Sequence, residues 1–328
     1  MAQIYEIRAS PGKGEGVFAT KFIPRSTLIM SDNSIFPTSV QIESNPIKLY
    51  VAVLALSPPV RAQYLDLAHT TNVAQLHVFR QLAMACNTGQ HAISDSLLDE
   101  AGKASAIFEA NAFCVGESND GDSNLACIAL QATRMNHSCL PNAHHEWNAE
   151  ACKLDVYARS DIQAGEEITI SYIDPLQSRE RRVGALQTGY DFQCDCVACD
   201  LGTIFGRQSL SRRAQMQACR EMITANPRDG HLDAVDFDPM EVCFTALCTL
   251  MEDEGLTGPW QVEMHAEMSE RWAARAQYPA AIARREKAIE ASVLCSGEDG
   301  RRTKGQRQLL EQLKALRDDA LLRRGGDG

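Results

Sequence analysis

Arg134-Met135-Asn136-His137-Ser138-Cys139-Leu140-Pro141-Asn142 is too polar and too oddly mixed to be core. Positions 136–142 alone hold two asparagines, a histidine, a cysteine and a proline. Two later stretches give it meaning. Gly165-Glu166-Glu167-Ile168-Thr169-Ile170-Ser171-Tyr172 reads as a turn running into a strand that ends on a tyrosine. Cys194-Asp195-Cys196-Val197-Ala198-Cys199 has the spacing of metal ligands.

The 328 residues suffice for two domains, and 45% hydrophobic with 23% charged residues is an ordinary globular balance. No apolar run approaches the ~20 residues of a membrane span, so no membrane partner is expected. The first residues, Met1-Ala2-Gln3-Ile4-Tyr5-Glu6, lack the basic and apolar regions of a signal peptide. The expected location is therefore cytoplasmic or nuclear. In that compartment the 12 cysteines stay reduced or bind metal. Cys86, Cys114, Cys127, Cys219, Cys243 and Cys248 sit singly among apolar residues and read as small buried hydrophobes. Of the net charge of −11, residues 1–200 carry −9. An acidic half argues against direct nucleic-acid binding and suits a basic peptide.

Along the chain, Tyr5, Ile7 and Ala9 alternate with polar residues as in a strand. Pro11-Gly12-Lys13-Gly14-Glu15-Gly16 is a glycine turn. It serves either as a plain strand connection or as a close backbone approach to a ligand. Leu28-Ile29-Met30 reads as a strand. Helices are expected from Pro46 to Leu56, from Ala74 to Asn87 and from Ser96 to Ala110. Leu76, Phe79, Leu82 and Cys86 would form one packing face, and Leu97, Ala101, Ala104 and Phe108 another. Strand-like Asn111–Val115 and a polar loop, Glu117–Asn124, follow. Ala143–Trp147 and Leu154–Ala158 should pair as a hairpin, with His144 and Glu146 on one face and His145 on the other. That alternation argues against a metal cluster there. Ser178–Gln187 is helical and basic. From Leu210 the pattern is helical, with Asp238-Pro239 as a helix start. Breaks at Gly255–Pro259, Tyr278-Pro279 and Ser296–Gly300 suggest antiparallel helical hairpins.

Four motifs in this order resemble the SET-domain protein lysine methyltransferases. They are Gly12–Ala19, Asn136–Asn142, Gly165–Tyr172 and the post-SET-like Phe192–Cys199. Asn111-Ala112-Phe113 and the helical C-terminal region are similar to the branch with SET and MYND domains (SMYD). The resemblance is strong over 1–200 and loose over 201–328. Residues 20–110 hold one cysteine, Cys86, so the MYND zinc finger of that branch cannot form there.

The resemblance implies an α+β fold. A β-rich SET domain, a pseudoknotted β-clip, would occupy 1–36 and 111–186, with an inserted helical subdomain at 37–110. A zinc-bound post-SET segment at 187–202 and a TPR-like helical domain at 203–328 would follow. The implied activity is transfer of a methyl group from S-adenosylmethionine to a lysine of a protein, histone or non-histone, by a monomer. A catalytically idle SET scaffold that binds peptides is the alternative. Cys194, Cys196 and Cys199 supply three thiolates, too few to close a tetrahedral zinc site. The family's fourth ligand corresponds to Cys139; three buried thiols are the plain alternative. Tyr172 would orient the reacting groups, with Phe113 and Tyr190 as channel walls. Asn111, Asn136 and His137 would hold the cofactor, Phe192 would stack on its adenine, and Lys13-Gly14 would line its methionine end.

Overall fold

The computed structural model describes residues 3–36, 45–69, 73–85, 94–117, 124–225 and 234–325. Cys86, much of the polar loop after Glu117 and the last three residues lie outside them. The first three strands, β1 (Tyr5–Ser10), β2 (Gly14–Ala19) and β3 (Leu28–Asn33), fall where alternation places them. Gly12 (φ +74°) and Gly14 (φ +75°) make the turn between β1 and β2 in a backbone region that residues with a Cβ avoid.

Four helices follow: α1 (Pro46–Ala55), α2 (Pro58–Leu65), α3 (Val73–Ala85) and α4 (Asp95–Asn111). The prolines at 58 and 59 start α2 as a separate helix, which apolar periodicity alone did not resolve. Ala101, Ala104 and Phe108 are buried as expected, whereas Leu98 rather than Leu97 is the buried leucine of α4. On α3 the inward residue is Ala83, and Leu82 is 45% exposed. Leu76 and Phe79 are half-buried, so the expected face holds there and departs at Leu82, where α3 packs on α4 through the small Ala83.

Strands β4 (Phe113–Glu117) and β5 (Asn124–Cys127) pair with each other. The two-residue strand β6 (Asn136–His137) precedes the hairpin of β7 (Ala143–Asn148) and β8 (Lys153–Ala158). Strand β9 (Glu167–Ile170) completes a sheet of order β1-β2-β9-β6, in which β6 and β9 run parallel; β3-β8-β7 form a second sheet. Val17, Met30, Met135, Leu154, Val156, Ile162 and Ile168 fill one core.

Six helices remain. α5 (Arg179–Tyr190) is capped by the Ser178 side chain. α6 (Ile204–Ala225), α7 (Ala234–Glu254), α8 (Pro259–Ala274), α9 (Tyr278–Ser296) and α10 (Arg301–Gly325) pack in chain order, α6 on α7, α8 on α9 and α9 on α10. The Gly255, Pro259, Pro279 and Gly300 breaks are where expected. Asp238-Pro239 is not a helix start: α7 begins at Ala234 and runs through it. Pro239 is the sixth residue of α7, past the first turn, so the helix gives up the bond that an N–H there would make to Val235 O.

The C-terminal helices do not stand apart from the strands. Leu176, just beyond β9, is buried among Met216, Phe244 and Leu247, and Leu140 packs against the same cluster. Arg25 Nε donates to Leu294 O at 3.0 Å, and Arg301 reaches Asp155 at 3.2 Å.

Candidate functional site

The four sulfurs of Cys139, Cys194, Cys196 and Cys199 lie within 4.8 Å of one another. Cys139 Sγ is 3.6 Å from Cys199 Sγ and 4.0 Å from Cys194 Sγ. A tetrahedron with 2.3 Å Zn–S bonds has edges of about 3.8 Å, so the donor set and its spacing fit one zinc ion. Local structure explains the convergence. The backbone N–H groups of Cys199 and Asp200 donate to Cys196 O, folding 196–200 into a tight turn. Hydrogen bonding from Cys139 holds Cys196 and Cys199 below the ordinary thiol range, while Cys139 itself is pushed up by its bonds to the other three. Among the described residues this is the one group of histidine, cysteine and carboxylate donors with such spacing. His144 and Glu146 share a face at 3.6 Å and His145 points away to Phe113, as alternation required.

The Arg134–Asn142 stretch holds this cluster through both of its flanks. Asn142 Oδ1 accepts the Thr169 N–H at 2.8 Å, and its Nδ2 donates to Glu167 O at 2.8 Å, so the loop is stitched to β9. Asn136 Nδ2 donates to Glu15 O (2.9 Å) and to Glu167 Oε1 (2.7 Å), tying the glycine turn to β6 and β9. A Cβ at Gly16 would come 2.4 Å from Glu167 Oε1, so a larger residue there would have to move the carboxylate that Asn136 holds. Lys13 Nζ lies 3.1 Å from Asp195, which docks the turn onto the cysteine segment.

Four rings meet beside the cluster. Tyr172 lies 4.9 Å from Tyr190, 5.3 Å from His137 and 6.5 Å, edge-on, from Phe192. Its hydroxyl donates to Met135 O at 2.6 Å, and burial pushes its pKa up. It is therefore a protonated donor at neutral pH, with oxygen lone pairs left to accept. Tyr190 OH donates to Tyr172 O at 3.3 Å. Burial and then Glu109, in the last turn of α4, raise the Tyr190 pKa. Burial lowers that of His137 to about 4.

Lys13, Gly14, Asn136, His137, Tyr172, Tyr190, Phe192 and the four cysteines thus lie in one connected neighbourhood. Phe113 enters from the other side: it is buried in the core against which Tyr172 packs, with its ring 5.0 Å from His145. Asn111 spends both amide protons on Ala68 O and Ile107 O, each at 2.7 Å. Cys127, Cys243 and Cys248 are buried as expected, Cys219 is half-buried and Cys114 is exposed. Cys114 instead borders a cleft of about 560 Å³ between the strands and the C-terminal helices. That cleft runs beside Ile170, Ser171 and Ile173, which flank Tyr172 in the chain, and is walled by Trp147, Trp260 and Glu263.

Two arginines completing the site were not identified from sequence. Arg182, one of three arginines on α5, is fully buried, with Nη2 3.8 Å from Cys199 Sγ. Arg213 is fully buried and donates to Cys139 O (2.9 Å) and Glu254 (2.9 Å). The basic run at 179–182 marked a charged helix without showing which member turns inward.

Comparison with known proteins places these observations. A model of the SET domain matches residues 14–173. Histone-lysine N-methyltransferase set5 of Schizosaccharomyces pombe is 28% identical over 231 residues, 69% of this chain and 61% of the relative. Protein-lysine N-trimethyltransferase SMYD5 of Mus musculus is 45% identical over 67 residues, 20% of this chain and 16% of the relative. Histone-lysine N-methyltransferase SMYD3 of Homo sapiens is 43% identical over 65 residues, 20% of this chain and 15% of the relative. The chain thus spans about three fifths of the Schizosaccharomyces pombe protein's length and far less of the other two.

Proposed function

Residues 14–173 match a model of the SET domain, and from this we propose that the protein is an S-adenosylmethionine-dependent protein-lysine N-methyltransferase with one structural zinc. The observation that carries this reading is the meeting of the Tyr172 hydroxyl, the Asn136-His137 strand and a four-cysteine cluster in one neighbourhood. S-adenosylmethionine supplies a methyl group on a positively charged sulfur. The chain has to orient it, exclude water and present a neutral lysine amine in line with it.

Each residue has a part in that task. The backbone of Asn136 and His137, the Phe192 ring and the Lys13-Gly14 turn hold the cofactor. Asn111 keeps its carbonyl oxygen for the same purpose, since its amide protons are already used. Phe113 and Tyr190 wall the lysine channel, where the apolar surround disfavours the ammonium form. The Tyr172 hydroxyl, fixed by Met135 O, accepts from the amine and aligns it with the methyl. Backbone carbonyls at this point add weak CH···O contacts to the polarised methyl.

Zinc would be held by Cys139, Cys194, Cys196 and Cys199, keeping Tyr190 and Phe192 in register with the central stretch. The substrate is a lysine of a protein, histone or non-histone, approaching through the cleft beside Tyr172. Residues of α8 and α10 form the far wall of that cleft, and helices α6–α10, read as TPR-like hairpins, influence which peptide enters.

Calorimetric titration of the zinc-loaded protein with S-adenosylmethionine tests the reading. A single site per chain is expected, lost with the zinc. No binding to metal-loaded protein contradicts it.

A further inference from the structure

The charges along the 560 Å³ cleft do not cancel. Strand β7 is the edge strand of its sheet, so residues of both its faces reach the cleft. Arg301 lies 3.2 Å from Asp155, and Arg302 Nε lies 2.9 Å from Glu146; both carboxylates are buried. The two arginines are thus committed to the sheet. Glu263, on α8, is the carboxylate left over. Its side chain is 61% exposed, and among the described residues its one ion-pair contact is Arg302 Nη1, at 3.9 Å. Crowding by the cleft raises its pKa, and Arg302 offsets this only in part. Its negative charge is under-compensated where a ligand can reach it.

Aromatic surface lies close by. Trp260 precedes Glu263 by three residues on α8, which sets the two side chains on one face of the helix. Trp147 borders the same cleft from β7, and both tryptophans are half-buried. Indole is the ring that attracts a cation most strongly. Indole surface together with a free carboxylate suits a cationic side chain with an apolar stem. An acidic side chain would instead have to draw Arg301 and Arg302 away from Asp155 and Glu146, leaving two buried carboxylates uncompensated.

We propose that this cleft reads a second basic residue of the substrate, near the lysine to be methylated, with Trp147 and Trp260 along its stem and Glu263 at its charge. This rests on the methyltransferase reading. It makes Glu263 a specificity-determining residue that touches the substrate without taking part in methyl transfer.

The test uses the full zinc-loaded chain and fluorescent synthetic peptides with a single lysine in a glycine-serine background. Arginine, glutamine or glutamate is placed in turn at each nearby position on either side of that lysine. Fluorescence anisotropy, with S-adenosylhomocysteine present, reads binding without turnover. At the favoured position arginine should bind about tenfold tighter than glutamine, the scale of a desolvated cation on an aromatic face. Glu263→Gln should bring the two peptides level, and Glu263→Lys should turn the preference to glutamate; the exposure of Glu263 keeps both changes clear of the core. The bound arginine peptide should slow alkylation of Cys114, at the cleft, and leave that of Cys152, exposed in the turn between β7 and β8, unchanged. Equal binding of the arginine and glutamine peptides by wild type, or none, overturns the proposal. So does a wild-type preference for glutamate, or an arginine preference that survives Glu263→Gln. Arginine-dependent binding with no methyl transferred to any of these peptides or to protein would sink the functional reading instead, since anisotropy does not depend on turnover.

Discussion

Replacing Glu254 by glutamine probes the joint between the C-terminal helices and the metal-bearing loop. Glu254, at the end of α7, is 1% exposed. It accepts from Ser209 Oγ, from Arg212 Nε at 2.5 Å and from Arg213 Nε at 2.9 Å. Arg213, itself fully buried, passes its other arm to Cys139 O at 2.9 Å. Glutamine keeps the volume, removes the charge and turns its N–H₂ group toward one of the two guanidinium groups. Breaking a buried pair by neutralising one partner costs about 3–5 kcal/mol, because the remaining charge is left uncompensated. At about 2–4 °C per kcal/mol for a chain of this order of size, Glu254→Gln should lower Tm by roughly 6–20 °C. Circular dichroism of the zinc-loaded protein during heating measures this. The double variant Arg213→Met with Glu254→Met should recover only part of the loss, since it removes both members of the innermost pair but leaves Arg212 and Ser209 without their acceptor. A Tm within about 2 °C of wild type for Glu254→Gln would refute the reasoning, as it would mean a loss below roughly 1 kcal/mol.

Other outcomes follow from the same geometry. Tyr172→Phe should lower turnover sharply with little change in cofactor affinity, because only the hydroxyl is lost; steady-state kinetics and calorimetry check the two halves. Phe192→Ala should weaken S-adenosylmethionine binding by about 1–3 kcal/mol, the range for stacking of a base on an aromatic ring. Calorimetry that finds no change would remove Phe192 from the site. Cys139→Ser and Cys194→Ser should behave alike, each losing zinc and cofactor affinity, as elemental analysis with titration will show; full metal occupancy in Cys139→Ser would falsify the shared site. A chain ending at Gly202 should aggregate or melt early on light scattering. It strips Leu140 and Leu176 of their cover and Cys139 O of Arg213. A soluble, cofactor-binding fragment would mean that these contacts are dispensable.

That last expectation differs from what the sequence alone suggests. Helical periodicity and Pro/Gly breaks after residue 203 read as a self-contained unit, and the helices are where those signals put them. What periodicity cannot convey is that Leu176 belongs to their core, or that Arg213 and Glu254, 41 residues apart, pair in the interior. Short-range signals were the readable ones. Alternation gave the hairpin of β7 and β8, the glycine turn gave β1 and β2, and Cys-x-Cys-x-x-Cys gave three metal-type ligands. The fourth, Cys139, lies 55 residues upstream, and only the resemblance pointed to it. Inward and outward faces were least readable where small residues pack, as on α3, where Ala83 is buried and Leu82 exposed. The cleft lined by both Trp147 and Trp260 joins a strand and a helix more than a hundred residues apart, so no local pattern announces that the two share it.

Transfer of a labelled methyl group decides whether this chain is an enzyme. Zinc-loaded protein, a cell lysate and S-adenosylmethionine carrying a trideuterated methyl are incubated together, and peptides are mapped by mass spectrometry. Lysines bearing the heavy methyl, present with wild type and strongly reduced with Tyr172→Phe, are the predicted result. Cofactor bound at one site per chain, with no heavy lysine in any protein of the lysate, would contradict it.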